Sequence, residues 1–506
     1  MDRLARGTFG QKEVLNLSPI SPEFWAYPEF RASGANEVCF AIAPRTPCAI
    51  MGFDLCLLLD CLYRQPNCRM PEIQAFRGLR YNLARVGSLS ECIAPPYDVI
   101  DATLQNQLYG MSAYNFVQLE FPRSEASDSP KSYYDRAGRT IRNWQSEKIL
   151  QPEPDPAIYI YHQEFEWLGQ SYLRRGVMAN VRLERFGQGR IYPHEHTHAQ
   201  AKADRLEMLR STRANLSPIF GLYPDAENLA QELLESKIIG VLGTQAVDHL
   251  GVRHTIWPIG ELSTIREVSS LLANLPMFVA DGHHRYETAC NYRDELASAG
   301  GFSQEHPANF VLTALFSMSD PGLVVLPTHR LIQGGPRWTT EQLHNKLGPY
   351  FDCELVAKGP QSAGAVWAEL VRLDEQLIMA IYSAESREWT RISAKEAAVD
   401  RMKELAPEHS SNWRELGVAV LHRLVFEDVL GLVDLPKPTY VHEVQEVIDG
   451  LEGRFVGSSD YSLAAMVMPA TLEQIQSLSL AQERMPAKST YFYPKLASGM
   501  VINTLE

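Results

Sequence analysis

The sequence predicts an α/β (or α+β) protein built on a mixed sheet, and three observations carry that reading. After Met70 short β-rich runs alternate with helical runs, as expected of helices layered on a sheet. Hydrophobic residues make up 45% of the chain and charged residues 21%, which is ordinary globular composition. The 506 residues exceed one hydrophobic core, since domains run to roughly 150 residues each.

The elements follow in order. Residues 1–69 hold Cys39, Cys48, Cys56, Cys61 and Cys68, five of the eight cysteines. They contain no Cys-x-x-Cys pair, and the first histidine, His162, lies far downstream, which argues against a metal module. This stretch lacks amphipathic periodicity and reads as an N-terminal extension, disordered or produced by a start site set too early. Asp2, Arg3 and Arg6 are not followed by an apolar run, so no secretory signal is expected. Pro95 and Pro96 fix an extended loop before a helix that Asp101 caps. Residues 158–161 and 177–183 read as strands of a hairpin turning near Gly169, 203–211 as a helix, and 218–223 as a buried strand or turn. Helices are expected at 227–242 and 265–275. Residues 278–280 form a strand, Asp281-Gly282 a turn and 284–297 a helix without proline or internal glycine. Strands follow at 310–316, 323–326, 376–382 and 464–468, and helices at 416–430 and 471–480. The tail, 484–499, is rich in Pro, Lys, Ser and Tyr and too aromatic for a disordered end.

The net charge of -14 and pI near 5.5 leave no basic face for nucleic acid. Any phosphate chemistry must be local. The longest apolar candidate, residues 48–62, is broken by Asp54 and Asp60, so no membrane span is expected. The cytoplasm, where thiols stay reduced, is the expected compartment.

Four stretches carry candidate chemistry. Asp281-Gly282-His283-His284-Arg285 places a glycine where backbone amides approach a ligand, at a helix start that attracts anions. Its histidines add cationic or hydrogen-bonding heads, Arg285 can clamp a phosphate, and Asp281 can orient a histidine or hold a metal. The bland alternative is an Asp-Gly turn before a surface helix. In Pro193-His194-Glu195-His196-Thr197-His198 a carboxylate beside imidazoles suits a general base. A metal site or a solvated loop stays open there, although the spacing is not that of a zincin. Lys202, Asp204, Arg205, Arg210, Thr212, Arg213, Asn215 and Ser217 either complete a phosphate pocket or line a solvated helix. Lys488-Ser489-Thr490 lacks the glycines of a Walker loop; Lys488 either reaches a phosphate as a point charge or sits in a packed strand.

These stretches in this order resemble the bacterial and archaeal family known as domain of unknown function 1015. The matching residues are Ala94-Pro95-Pro96-Tyr97-Asp98-Val99, His194-Glu195 with Thr197, Asp204-Arg205, Ser217-Pro218-Ile219-Phe220, Ala280 through Tyr286, and Met485-Pro486 with 488–495. The likeness runs from about Met70 to the C-terminus. It implies a family body of 70–506: an N-terminal α+β part at 70–270, a ParB/sulfiredoxin-like phosphate-loop core at 271–335, and a C-terminal α+β part at 336–506. Some members are ATP-dependent kinases of free L-serine, giving O-phosphoserine. The resemblance therefore implies ATP and Mg²⁺ as cofactors, with Gly282, His283, His284, Arg285, Lys488, Ser489 and Thr490 on the nucleotide. Glu195, with His194 and Asp281, is the catalytic candidate, and Tyr97, Asp98, Asp204 and Arg205 would contact the substrate. The expected partners are a nucleotide and a free amino acid, with no nucleic acid or membrane and with homo-oligomerisation left open. Two alternatives stand beside the kinase: a ParB-like nucleotide-binding regulator, and a metal-dependent hydrolase built on His194, Glu195, His196 and His198.

Overall fold

Burial with a period of two organises the larger sheet. In the strand Met277–Asp281, Phe278 and Ala280 pack on one face while Met277 and Val279 pack on the other, as side chains of a pleated strand must. The structure, a computed structural model, describes residues 72–506 except 127, 130, 434–435 and 456–459. The expectations for residues 1–69 lie outside the described residues.

Nine strands form this sheet: β1 (Ile73–Gln74), β2 (Ile158–Trp167), β3 (Gln170–Arg182), β4 (Ile191–Pro193), β5 (Ile219–Tyr223), β6 (Thr244–Val247), β7 (Arg253–Ile259), β8 (Met277–Asp281) and β9 (Phe310–Ser317). Their order is β4-β8-β5-β9-β3-β2-β7-β6, with β1 also on β3. The pairs β4/β8 and β5/β9 are parallel and the others antiparallel, so the sheet is mixed, as expected. Helices α1 (Ala199–Thr212), α2 (Leu229–Lys237), α3 (Leu262–Leu272) and α4 (His283–Ser298) follow strands. One face buries Ile160, Val177, Val279 and Leu315 against Leu234, Val268, Leu272 and Ala289 of α2, α3 and α4.

The second sheet has six antiparallel strands: β10 (His329–Gln333), β11 (Phe351–Lys358), β12 (Ile378–Ser383), β13 (Glu388–Ala394), β14 (Thr439–Val441) and β15 (Tyr461–Met466), in the order β11-β13-β12-β15-β10-β14. One apolar cluster runs from Phe220, Phe278 and Phe316 of the first sheet to Ile332, Met379 and Ile392 of the second. The large sheet takes strands from both sides of residue 271, and the described residues from 72 onward belong to one compact unit. Among the described residues no helix is long and apolar enough to cross a membrane.

Several elements lie outside the sequence expectation. β11 is an edge strand that buries only Phe351 among its eight residues, so it has no apolar alternation to read. β7 carries Pro258, which counts against a strand. The expected helix at 416–430 begins at Gly417–Ala419 and widens into i→i+5 turns over Val420–Val429. Asp101 caps its helix as expected, its carboxylate accepting from Leu104 N at 2.7 Å.

The C-terminal tail lies on the sheet, held by a buried cation. Arg174 of β3 is fully buried, and burial pushes its pKa down to about 10. It donates to Gln163 Oε1 and to the backbone carbonyls of Tyr493 at 3.0 Å and Pro494 at 2.5 Å, and its guanidinium lies 4.9 Å from the Phe220 ring centre. Replacing Arg174 with Leu leaves those carbonyls and Gln163 unpaired in a dry interior. The expected cost is about 3 kcal/mol, read as a lower urea midpoint with an unchanged m-value. An unaltered midpoint would show that the tail is held by other contacts.

Candidate active site

A left-handed turn places the first candidate residues. Gly282 has φ +90°, and a Cβ there would lie 3.1 Å from Ile219 Cδ1 and 3.2 Å from Arg285 Cζ, so the position suits glycine alone. The turn ends β8 on Asp281 and starts α4 on His283, leaving the first backbone N–H groups of a sixteen-residue helix without partners inside it.

Asp281 is clasped by two cations. Its Oδ1 lies 3.3 Å from Lys495 Nζ and its Oδ2 3.3 Å from Arg285 Nη2. Burial acts to raise the pKa of this carboxyl, but Lys495, Arg285 and Lys488 together hold it well below the usual carboxylate range. A cavity opens beside each cation. On the Lys495 side a cavity of about 180 Å³ is lined by Pro95, Val99, Asp248, His249, Tyr491 and Lys495. On the Arg285 side a cavity of about 50 Å³ is lined by Glu120, Arg205, Asn215, Ser217, Arg285 and Thr288, among others.

The neighbouring histidines are neutral scaffolding. His194 is buried; its Nδ1 donates to Val279 O at 2.8 Å and its Nε2 lies 2.8 Å from Thr490 Oγ1. Burial pulls its pKa down to about 4, against the pull of the Val279 carbonyl. His283 Nε2 accepts from His194 N–H at 3.3 Å and His284 Nε2 accepts from His198 N–H at 2.9 Å. Burial lowers the pKa of both rings. Of the two roles expected for these histidines, cationic or hydrogen-bonding, the geometry supplies the second. The positive charge of the site comes from Arg285, Lys488 and Lys495.

Glu195 forms a parallel backbone bridge to Met485, which sets its side chain near Lys488, Asp281 and Lys495. Burial raises its pKa above the ordinary value; Lys488, Lys495 and the Ser489 backbone oppose that rise without cancelling it.

The sequence profile of the family described as "Protein of unknown function (DUF1015)" matches residues 73–419. The chain belongs to the DUF1015 family. No curated protein matches it. Solved structures similar to this DUF1015 chain include a free serine kinase in complex with AMP, at 10% identity and TM-score 0.28 over 60% of this chain and 83% of that one. SbnI from Staphylococcus aureus with a C-terminal truncation is similar at 11% identity and TM-score 0.29, over 64% and 86%. A conserved hypothetical protein from Pyrococcus furiosus is similar at 12% identity and TM-score 0.27, over 61% and 89%.

The DUF1015 fold brings most of the expected residues together. Tyr97, Asp204 and Arg205 form one cluster: Arg205 lies 3.9 Å above the Tyr97 ring and donates to Asp204 Oδ2 at 2.8 Å, while Tyr134 OH donates to Asp204 Oδ1 at 2.7 Å. Asp98 lies close enough to His284 and Tyr491 to act on their protonation. The hydroxyls of Ser489 and Thr490 have partners within the protein: Ser489 donates to Pro486 O at 2.6 Å, and Thr490 Oγ1 lies 2.8 Å from His194 Nε2. His196 and His198 are exposed, and among the described residues no three His, Cys, Asp or Glu side chains are arranged to hold a metal ion. The metal-hydrolase alternative therefore lacks a ligand cluster. Its four residues are adjacent in sequence, but both ring nitrogens of His194 are already engaged.

Sequence reading missed several residues of the site. Lys495 and Tyr491 stand in the quoted C-terminal motif, where an aromatic beside a lysine was the available signal; Lys495 Nζ lies 4.3 Å from the Tyr491 ring centre. Arg330, which donates to Lys488 O at 2.9 Å, and His442, stacked 3.7 Å from Tyr491, come from the second sheet and gave no local signal. Buried neutral histidines tie stability to pH. The His194 pKa falls from 6.5 to about 4 on folding, so between those values the unfolded chain binds more protons and stability drops as pH falls. Thermal melts between pH 7.5 and 4.5 are expected to show this loss, and His194→Gln is expected to flatten it; equal slopes would remove His194 from the account.

Proposed function

We propose that the protein transfers a phosphoryl group from ATP to the hydroxyl of a small free amino acid, most simply L-serine to O-phosphoserine. One observation carries the reading: Asp281 sits between Lys495 and Arg285, each of which lines its own cavity, on a glycine turn that opens a helix. Phosphoryl transfer asks a protein for positioned cations between a donor and an acceptor more than for covalent chemistry. The cavity on the Lys495 side, walled by Pro95, Val99 and Tyr491 with Asp248 and His249 at hand, suits a nucleoside, with its phosphates directed to Lys495, Lys488 and the first amides of α4.

In this reading the acceptor hydroxyl attacks the terminal phosphorus, the bond to the bridging oxygen of ADP breaks, and Glu195 takes the hydroxyl proton. Burial supports that role, because a carboxylate with a raised pKa is a stronger base. Asp281 is not placed to hold a resident Mg²⁺. Both oxygens of Asp281 face cations, and magnesium needs oxygen ligands free to approach it. The metal would enter on the phosphates of the nucleotide, and no step here runs through it. Such an enzyme would work in the ATP pool of the cytoplasm.

The test is ADP release with ATP and L-serine, with the product identified by phosphorus NMR. Glu195→Gln is expected to lower kcat by about 10²–10⁴-fold, and equal rates would remove Glu195 as the base. Arg285→Ala and Lys495→Ala are expected to weaken nucleotide binding by about tenfold or more, each removing a charge-assisted contact. Nucleotide bound tightly with no amino acid phosphorylated would turn the reading to a regulator. Because the Glu195 pKa is raised, the acid limb of the kcat profile should lie above pH 4.5, the ordinary value; a limb at or below it would contradict a buried base.

A further inference from the structure

The smaller cavity is lined by a residue with a buried oxygen that lacks a hydrogen-bond partner. Glu120 ends the short helix Val117–Glu120 and is 2% exposed. Its Oε1 accepts from Tyr97 N–H at 3.1 Å, while its Oε2 is buried without a partner. A buried carboxylate oxygen left unpaired is costly, and such groups in native structures usually meet a donor. Arg205, 7% exposed, lines the same cavity, fixed by Asp204 and by the Glu120 carbonyl, to which its Nη1 donates at 3.3 Å. One small space thus presents an anionic acceptor and a cationic donor from different elements. Asn215 and Ser217 add polar walls, and Arg285 lines the cavity while pairing with Asp281 at 3.3 Å.

We propose that this cavity binds the zwitterionic head of a small α-amino acid, its ammonium on Glu120 Oε2 and its carboxylate on Arg205, with the side chain directed toward Arg285 and Asp281. A volume of about 50 Å³ exceeds the roughly 10–15 Å³ that one water requires, and in this proposal it takes a head group with a short side chain in preference to an aromatic one. The pocket therefore selects by charge at both ends of the head and by size at the side chain. It supplies the acceptor specificity of the phosphoryl-transfer reading, on which it rests. Binding is nonetheless measurable without any chemistry.

Calorimetric titration of the full chain with L-serine, L-alanine, L-serine methyl ester, N-acetyl-L-serine and L-tyrosine separates the two claims. L-Serine and L-alanine are expected to bind. The ester and the N-acetyl compound, each lacking one charge, are expected to bind at least tenfold more weakly, and L-tyrosine not at all. Glu120→Gln keeps the acceptor for Tyr97 N–H and should cost at least tenfold in L-serine affinity while leaving nucleotide affinity unchanged. No binding of any amino acid would mean that the cavity holds water only, and equal binding by the ester and N-acetyl compound would refute zwitterion recognition; both readouts use the wild-type chain and stand even if Glu120→Gln misfolds. L-Serine bound with no ADP released would sink the kinase and leave the pocket. ADP released with a KM for serine unmoved by Glu120→Gln would sink the pocket and leave the kinase.

Discussion

The seating of the C-terminal tail on the large sheet is the constraint on which the rest depends. Arg174 reaches it from the middle of β3, and backbone pairs extend the contact: Met485 with His194, Ser498 with Ala94 and Ile502 with Leu79. Each pair ties the tail to a different early segment. Asn503 and Asn215 add a buried amide contact at 2.9 Å, and Asn215 also accepts from Leu312 N–H of β9 at 3.1 Å. These bonds lie in a dry interior, where leaving any one unmade costs more than making it returns. The tail is therefore a structural strand of the core, and Lys488 and Lys495 inherit fixed positions from it.

That positioning explains how an acidic protein can hold a cationic site. The chain carries a net charge of -14, which would repel a phosphate at long range, but screening confines such fields to about 8–10 Å in physiological salt. Within that range Lys495, Lys488 and Arg285 face a single ionised carboxylate, Asp281. The half-buried neighbour Glu195 is pushed the opposite way by the same surroundings. Burial acts to raise both carboxyls, and what separates them is the clasp of cations that pulls Asp281 below the ordinary carboxylate range while Glu195 stays above its own.

The sequence made the turn and its flanking strand and helix legible because that physics is local: a short apolar strand, a glycine that alone accepts φ +90°, and a helix without breakers. Asp101, Glu195 and Lys488 were legible for the same reason, each standing in a short polar pattern. What stayed hidden is tertiary. Arg174 lies in an ordinary strand and shows its role only when Tyr493 and Pro494 arrive from more than 300 residues away. Glu120 stands in no chemical pattern of the sequence, and only the fold shows its second oxygen to be buried and unpaired. Ser489 and Thr490 stand in a short polar pattern, but that their hydroxyls meet Pro486 O and His194 is visible only in the fold. Adjacent histidines likewise suggested charge, and burial made them neutral.

Because the site draws on residues 94–98, 194–205, 281–285 and 488–495, no local segment contains it. The same contacts that close the fold close the site. Local opening that frees the tail would remove Lys495 from Asp281, Thr490 from His194 and Met485 from the Glu195 strand in one event, since these are neighbours along one extended stretch. Stability of the tail and integrity of the site are then a single equilibrium, drawn from the same cooperative unit. A substitution far from the chemistry that loosens Arg174 should empty the site as surely as removing a charge from it, whereas one on the outer face of the second sheet, such as at Glu354 on the edge strand β11, should leave it intact.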